Sequence, residues 1–324
     1  MKPRVFVTRA IPDAGLDQVL DRCEAEVWSA EVPPTRDELL ERVPGSDGLL
    51  SLLTDPIDGE VIAAAGPELK VISNYAVGFD NVDVGAATAR RIPVGNTPGV
   101  LTETTADLAF ALLMSAARRI VEGADFARAG QWKTWGPKLL LGQDVHRATL
   151  GILGFGRIGR AMARRAAGFE MELIFHDPTV DEAVADGAHK VELDELLARS
   201  DFLTIHVPLN DATHHLIDRA ALARMKPTAV LINTARGPVV ELDALGEALE
   251  RGAIGYAALD VTEPEPLPPE HPLYRLPNCL IIPHLGSASV ATRDKMARMA
   301  AANLLAGLRG ERLPNCVNPA VYEA

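Results

Sequence analysis

Short, almost wholly apolar runs alternate along this chain with longer stretches whose apolar residues recur every three or four positions. The runs RVFVTR (4–9), GLLSLL (48–53), LKVISNY (69–75) and RIPVGN (91–96) are strand-sized, and turn residues follow each. Between them DAGLDQVLDRC, TRDELLERV and DGEVIAAAG carry helical spacing. This rhythm predicts a parallel sheet covered by helices. Residues 102–130 predict one long helix, opened by Thr and Glu and free of proline.

A second alternation begins at Thr149, with strands predicted at TLGIL, MELIFH, DFLTIHV, AVLINTA, YAALDV and CLIIPH. Helices are predicted over 157–168, 193–199, 220–225 and 242–251, and a last one over 292–310 before a proline-broken end. Six strands joined by right-handed crossovers suit a dinucleotide-binding sheet. The proline-dense stretch 263–272 reads as a rigid loop, because strands flank it closely.

At 324 residues the chain exceeds what one core comfortably serves, which predicts two domains. Its apolar runs are far shorter than a membrane span, and VFV near the start is too short for a signal-peptide core. A cytoplasmic location is therefore expected. The three cysteines, Cys23, Cys279 and Cys316, lack C-x-x-C spacing, so reduced thiols are expected and neither a disulfide frame nor a metal site. A formal net charge of −12 argues against nucleic-acid binding. It also requires any anionic substrate to meet a local cation against an unfavourable overall field.

The glycines of GFGRIG, at Gly154, Gly156 and Gly159, follow the run TLGIL and open a helical pattern. Asp177 ends the next run, 18 residues after Gly159. In that context the motif predicts a dinucleotide site: Gly154 for the tight turn, Gly156 for close approach to pyrophosphate, Gly159 for helix–strand contact. The pyrophosphate would sit on the helix N-terminus. A carboxylate at Asp177 suits the ribose hydroxyls of NAD and repels the additional phosphate of NADP. The residues after it, PTVDEA, offer no arginine for that phosphate. NAD is expected over NADP.

Ligands of open α/β sheets bind beyond the carboxyl ends of strands. Arg236 follows AVLINTA, Glu265 lies five residues past Asp260, and His284 ends CLIIPH. Singly, each has a bland reading: a turn arginine, a surface acid, a strand-ending histidine. Together they form a chemical set for a 2-keto acid. A guanidinium fork can hold the carboxylate and polarise the carbonyl oxygen. A carboxylate can orient the imidazole and stabilise the imidazolium, which can donate a proton as hydride reaches carbon.

The segments SNYAVGFDNVDV (73–84), NTPGVLTETTADLAFALL (96–113), GILGFGRIG (151–159), AVLINTARGPVV (229–240), AALDVTEPEPLP (257–268) and IIPHLGSAS (281–289) resemble the D-2-hydroxyacid dehydrogenase family. They are closest to its glyoxylate reductase/hydroxypyruvate reductase members and span most of the chain. The resemblance implies two doubly wound parallel-sheet α/β domains. A Rossmann NAD-binding domain, 101–288, is inserted into a flavodoxin-like substrate domain, 1–100 plus 289–324. It implies Arg236, Glu265 and His284 as catalytic residues. Substrate would meet Leu53, Ala76, Val77 and Gly78 together with Arg236 and His284, its carboxylate on the amides of the 76–78 loop. The cofactor would be lined by Thr105, Gly154, Phe155, Gly156, Arg157, Ile158, Gly159, Asp177, Val207, Pro208, Thr213, Thr234, Ala235, Arg236, Asp260, His284 and Gly286. Asp260 would hold the nicotinamide carboxamide. A homodimer built on the long helix and the 132–142 loop is implied, with Trp132 or Trp135 reaching toward the partner subunit.

Within the family, 3-phosphoglycerate and D-lactate dehydrogenases stay open as alternatives. The former carry a further C-terminal domain for which no sequence follows the last helix. A glutamine replaces the histidine-supporting acid in formate dehydrogenases, so Glu265 opposes that reading. Phosphite dehydrogenases keep the same three residues, and so do NAD-sensing co-repressors, which are not enzymes in their signalling role. His206 reads as a satisfied core histidine near the cofactor, and His214 and His215 as solvent-facing.

Overall fold

The structure is a computed structural model that describes residues 2–181 and 187–323. In chain order the first elements are β1 (Arg4–Val7), α1 (Asp13–Arg22), β2 (Glu24–Val27), α2 (Arg36–Arg42), β3 (Gly48–Ser51), α3 (Gly59–Ala64), β4 (Val71–Asn74), α4 (Val84–Ala89) and β5 (Val94–Gly95). Two helices follow, α5 (Thr102–Ala117) and α6 (Ile120–Arg128). The second series is β6 (Thr149–Leu153), α7 (Arg157–Ala167), β7 (Glu172–His176), β8 (His189–Lys190), α8 (Leu193–Arg199), β9 (Phe202–Ile205), α9 (Arg219–Leu222), β10 (Val230–Asn233), α10 (Leu242–Glu250), β11 (Tyr256–Leu259) and β12 (Cys279–Ile281). The last helix is α11 (Val290–Leu308).

The chain divides into two compact units, Met1–Leu101 with Ala288–Ala324, and Thr102–Ser287. In the first, five parallel strands run in the order β2-β1-β3-β4-β5. This is the doubly wound order of flavodoxin-like sheets. The central strands β3 and β4 are buried at every position, whereas β2 alternates exposed and half-buried residues at an edge. α11 lays Met296, Ala297, Ala300, Ala301 and Leu304 onto one face with Val5, Val7, Leu50 and Val71. Local chemistry agrees with this packing. Thr35 and Glu38 form a capping box at α2, and the Asp58 carboxylate accepts from the first amides of α3.

In the second unit seven parallel strands run β12-β11-β10-β9-β6-β7-β8. Counted within the unit, that is the Rossmann order 3-2-1-4-5-6 with a seventh strand added at one edge. Two cores flank this sheet: Leu113, Phe155, Met162 and Phe175 lie on one face, Leu196, Ile205, Leu231 and Leu245 on the other. Each fully buried side chain of this size contributes about 1.5–3 kcal/mol through removal from water.

The single helix expected over 102–130 is two helices. Arg119 has φ +52°, in the left-handed region, which breaks the α-helical course. The amide of Gln143 donates to the carbonyl of Ala117 at 2.8 Å and closes the end of α5, while the Arg119 guanidinium pairs with Glu122 at 2.9 Å. Absence of proline was therefore not enough to carry the helix through. β2, β8 and α4 lie outside the predicted elements. The edge strand β2 is polar at alternate positions, β8 is only two residues long, and α4, VGAATA, is built mostly of small residues that set up no apolar stripe.

Candidate active site

The site grows from the carboxyl ends of the strands in the second unit. The switch point of this sheet lies between β6 and β9, where the chain departs in opposite directions. The glycine loop leaves β6 there. Gly154 has φ +90°, and a Cβ on it would meet the backbone of His206 and Val207 at 2.7–2.9 Å. A Cβ on Gly159 would lie 2.2 Å from the carbonyl oxygen of Gly154. At Gly156 a Cβ would meet nothing within 4 Å, so this backbone faces open space. Gly156 is also the N-cap of α7, and among the described residues no side chain caps the helix's first amides. Unclaimed donors at a helix start, backed by the dipole, make an anion cradle of this loop.

Around the cradle, Phe155 is buried and stacks on Phe175 with ring centroids 4.2 Å apart. Arg157 is exposed and Ile158 half-buried against the core. Asp177 follows β7, and its carboxylate accepts from the Phe155 amide at 2.9 Å and from the amide and hydroxyl of Thr179. Partial burial pushes this carboxyl up, but those hydrogen bonds and nearby Lys190 outweigh it and hold it below the usual carboxylate value. Of the stretch PTVDEA, Glu182 and Ala183 lie outside the described residues.

Past β9, Val207 is half-buried and Pro208 exposed, and the Thr213 hydroxyl donates to the Pro208 carbonyl at 2.6 Å. The hydroxyl of Thr234, beyond β10, is buried without a partner among the described residues, as is Nδ1 of His206. Orphaned buried polar atoms beside an open anion cradle fit a bound dinucleotide. His206 itself is not the satisfied histidine expected. Thr204 Oγ1 lies 2.8 Å from its Nε2, Nδ1 has no partner among the described residues, and burial pushes its pKa down to about 3.

Arg236, Glu265 and His284 follow three neighbouring strands. β10, β11 and β12 run parallel in register, Asn233 beside Leu259 and Leu259 beside Ile281. Arg236, three residues past β10, is half-buried, and its Nη1 donates to the Ala235 carbonyl at 2.8 Å. The backbone of Gly237 presses on the β11 loop so closely that a Cβ would sit 1.9 Å from the Thr262 carbonyl oxygen. Glu265 lies on that loop. Nδ1 of His284 is 2.5 Å from Glu265 Oε1, and since a carboxylate only accepts, the imidazole donates. Nε2 is thereby left for exchange with a ligand. His284 has φ +52°, an uncommon backbone for this residue.

Two residues carry more of this geometry than the sequence reading gave them. Asp260 is 1% exposed, and its carboxylate oxygens accept from the amides of Leu285 and Gly286 at 2.5 and 2.8 Å. Asp260 thus fixes the loop that bears His284, and burial pushes its carboxyl up against the opposing effect of those amides and of His284. Thr105 of α5 donates to the Gly286 carbonyl at 3.1 Å. Asn233, absent from the expected set, is 1% exposed; its amide donates to the Arg236 carbonyl and its oxygen accepts from Ala235. A short polar side chain ending an apolar strand was the signal available for it.

Leu53, Ala76, Val77 and Gly78 belong to the first unit. Leu53, beyond β3, is half-buried. Donors from Thr97, Asn96 and Asn74 hold the carbonyls of Ala76, Val77 and Gly78, while the amides of Val77 and Gly78 have no acceptor among the described residues.

Residues 110–286 match the family model for the NAD binding domain of D-isomer specific 2-hydroxyacid dehydrogenases. Over the full length the chain is 53% identical to a glyoxylate reductase of Korarchaeum cryptofilum, covering 100% of this chain and 98% of that one. Among solved structures, a protein of Thermus thermophilus superposes with TM-score 0.91 at 50% identity, covering 97% of this chain and 99% of that one. An NADPH-dependent glyoxylate/hydroxypyruvate reductase of Sinorhizobium meliloti, in complex with NADP and malonate, superposes with TM-score 0.86 at 33% identity, covering 98% and 97%. Joined to a seven-stranded dinucleotide sheet with histidine and glutamate paired at its edge, these matches place the chain: it belongs to the D-isomer specific 2-hydroxyacid dehydrogenase family.

Proposed function

We propose that the protein reduces a small 2-keto acid, glyoxylate or hydroxypyruvate, to the D-2-hydroxy acid, with NADH preferred over NADPH. The observation that carries this reading is the hydrogen bond between Glu265 and His284 at the same sheet edge as the anion cradle. When bound, the dinucleotide supplies the hydride that reduces the carbonyl carbon. The residues of the glycine loop, with Asp177, Thr234 and Thr105, hold it. Arg236 binds the substrate carboxylate and polarises the carbonyl oxygen. His284, oriented by Glu265, protonates the oxygen from Nε2.

The reading is supported by relatives named glyoxylate reductase at 45–53% identity. For the cofactor, the low-lying carboxyl of Asp177 supports NAD, although two similar structures are named NADPH-dependent and a third is described in complex with NADPH. Glyoxylate, hydroxypyruvate, pyruvate, oxaloacetate and phosphite, each assayed with both cofactor pairs, test it. The highest kcat/KM is expected for NADH with one of the first two acids, and Asp177→Ala should shift the preference toward NADPH. A wild type that strongly favours NADPH removes the role given to Asp177, and turnover of phosphite alone removes the keto-acid reading. We further propose a homodimer in the cytoplasm, supported by the exposed apolar residues of the 120–141 stretch and by three free cysteines.

A further inference from the structure

The loop that follows β9 carries adjacent histidines which the proposed reaction does not use. Asn210 shapes this loop: its carbonyl accepts from the amides of Thr213 and His214 at 3.0 and 2.9 Å, and its side chain accepts from Ala212. The turn presents His214 and His215 with ring centroids 4.0 Å apart. His215 adopts φ +50°, and its amide donates to the Pro238 carbonyl at 2.7 Å, which ties the loop to the segment beyond β10. Nε2 of His215 lies 3.1 Å from Oε2 of Glu263 on the loop beyond β11. One ligand atom each from His214, His215 and Glu263 falls within 4.8 Å of the others, the one such grouping among the described residues.

We propose that His214, His215 and Glu263 form a binding site for a divalent transition metal, matched to Zn²⁺. Two imidazoles and a carboxylate are the donor set of three-ligand zinc sites that keep an open fourth position, and hard cations such as Mg²⁺ prefer all-oxygen sets. Tetrahedral ligands about 2.0–2.1 Å from zinc lie about 3.3 Å apart. The His215–Glu263 separation is close to this value already, and the remaining gap closes by rotation of exposed side chains. The side chains of His215 and Glu263 are 39% and 41% exposed, so an ion has an entry path and the ligands have freedom to converge. The ion replaces the His215–Glu263 hydrogen bond and clamps the 210–215 loop to the loop that also carries Glu265.

Calorimetric titration of chelator-treated full-length protein with zinc chloride tests the site independently of any enzymatic activity. One equivalent is expected to bind the wild type, with a matching rise in Tm. His214→Ala and Glu263→Gln should each weaken binding at least about tenfold, and the double variant His214→Ala/His215→Ala should abolish it. Their unliganded circular dichroism melts should superpose on the wild type, and magnesium chloride should not compete. Absence of a one-equivalent isotherm, an unchanged isotherm in the double variant, or equal competition by Mg²⁺ overturns the assignment. If the double variant melts early, Glu263→Gln and the visible absorption of bound Co²⁺ decide: a tetrahedral spectrum lost in Glu263→Gln supports the site, and one retained overturns it.

Discussion

The Glu265–His284 pair gives the most direct residue-scale test. A general acid contributes about 10²–10⁴ in rate, so under the role proposed for His284, His284→Ala should lower kcat by at least about 10² with the melting curve unchanged. Glu265→Gln keeps an acceptor for Nδ1 and removes the charge, so its loss should be smaller. Near-full turnover in His284→Ala removes that residue from the chemistry. His206 leads to a second expectation, in stability. Its folded pKa of about 3 lies below the usual 6.5, so below pH 6.5 the unfolded chain takes up a proton that the folded one refuses. Its contribution is complete above that value and is lost as the pH falls toward 3. Between pH 7 and 4.5, wild type should lose about 2 kcal/mol more than His206→Gln in urea titrations. Parallel losses in the two proteins show that another group governs acid sensitivity.

The glycine loop and α7 separate folding from binding at the level of one element. An Ala at 159 puts its Cβ 2.2 Å from a backbone oxygen, so the strand–helix contact must open. Gly159→Ala should therefore destabilise the protein by about 1–3 kcal/mol and weaken NADH. An Ala at 156 points into open space, so Gly156→Ala should melt like wild type while its NADH affinity, read from cofactor fluorescence, falls about tenfold or more through the displaced pyrophosphate. Unchanged affinity in Gly156→Ala shows that the cofactor does not approach this backbone. The α5–α6 break shows how such contacts rule an element. Periodicity and composition run on through residues 118 and 119, but the Gln143 amide claims the carbonyl that would have continued the helix.

For the whole molecule, the expectation is self-association. Ile120, Val121, Trp132, Trp135, Leu139 and Leu141 are all at least 39% exposed and fall within 22 consecutive residues. Large apolar side chains concentrated this way mark interaction surfaces. Light scattering should give twice the mass of one chain, and the triple variant Trp132→Ser/Trp135→Ser/Leu141→Ser should give the mass of one. A wild-type monomer at micromolar concentration ends the dimer proposal.

The architecture and the turn geometry of the glycine loop were legible along the chain itself. Strand periods, glycine spacing and an acid at the next strand's end are local consequences of backbone geometry, and local patterns survive in a linear string. Arg236, Glu265 and His284 were legible as strand-end residues because the doubly wound sheet delivers every strand end to one edge. What closed only in three dimensions were contacts between loops of different strands, Asp260 with the 285–286 amides and Glu263 beside His214 and His215, and the burial that orphans a nitrogen of His206. No spacing encodes them, because loop positions depend on crossover lengths and core packing. The break at Arg119 is of the same kind, since the amide of Gln143, distant along the chain, outweighs local propensity.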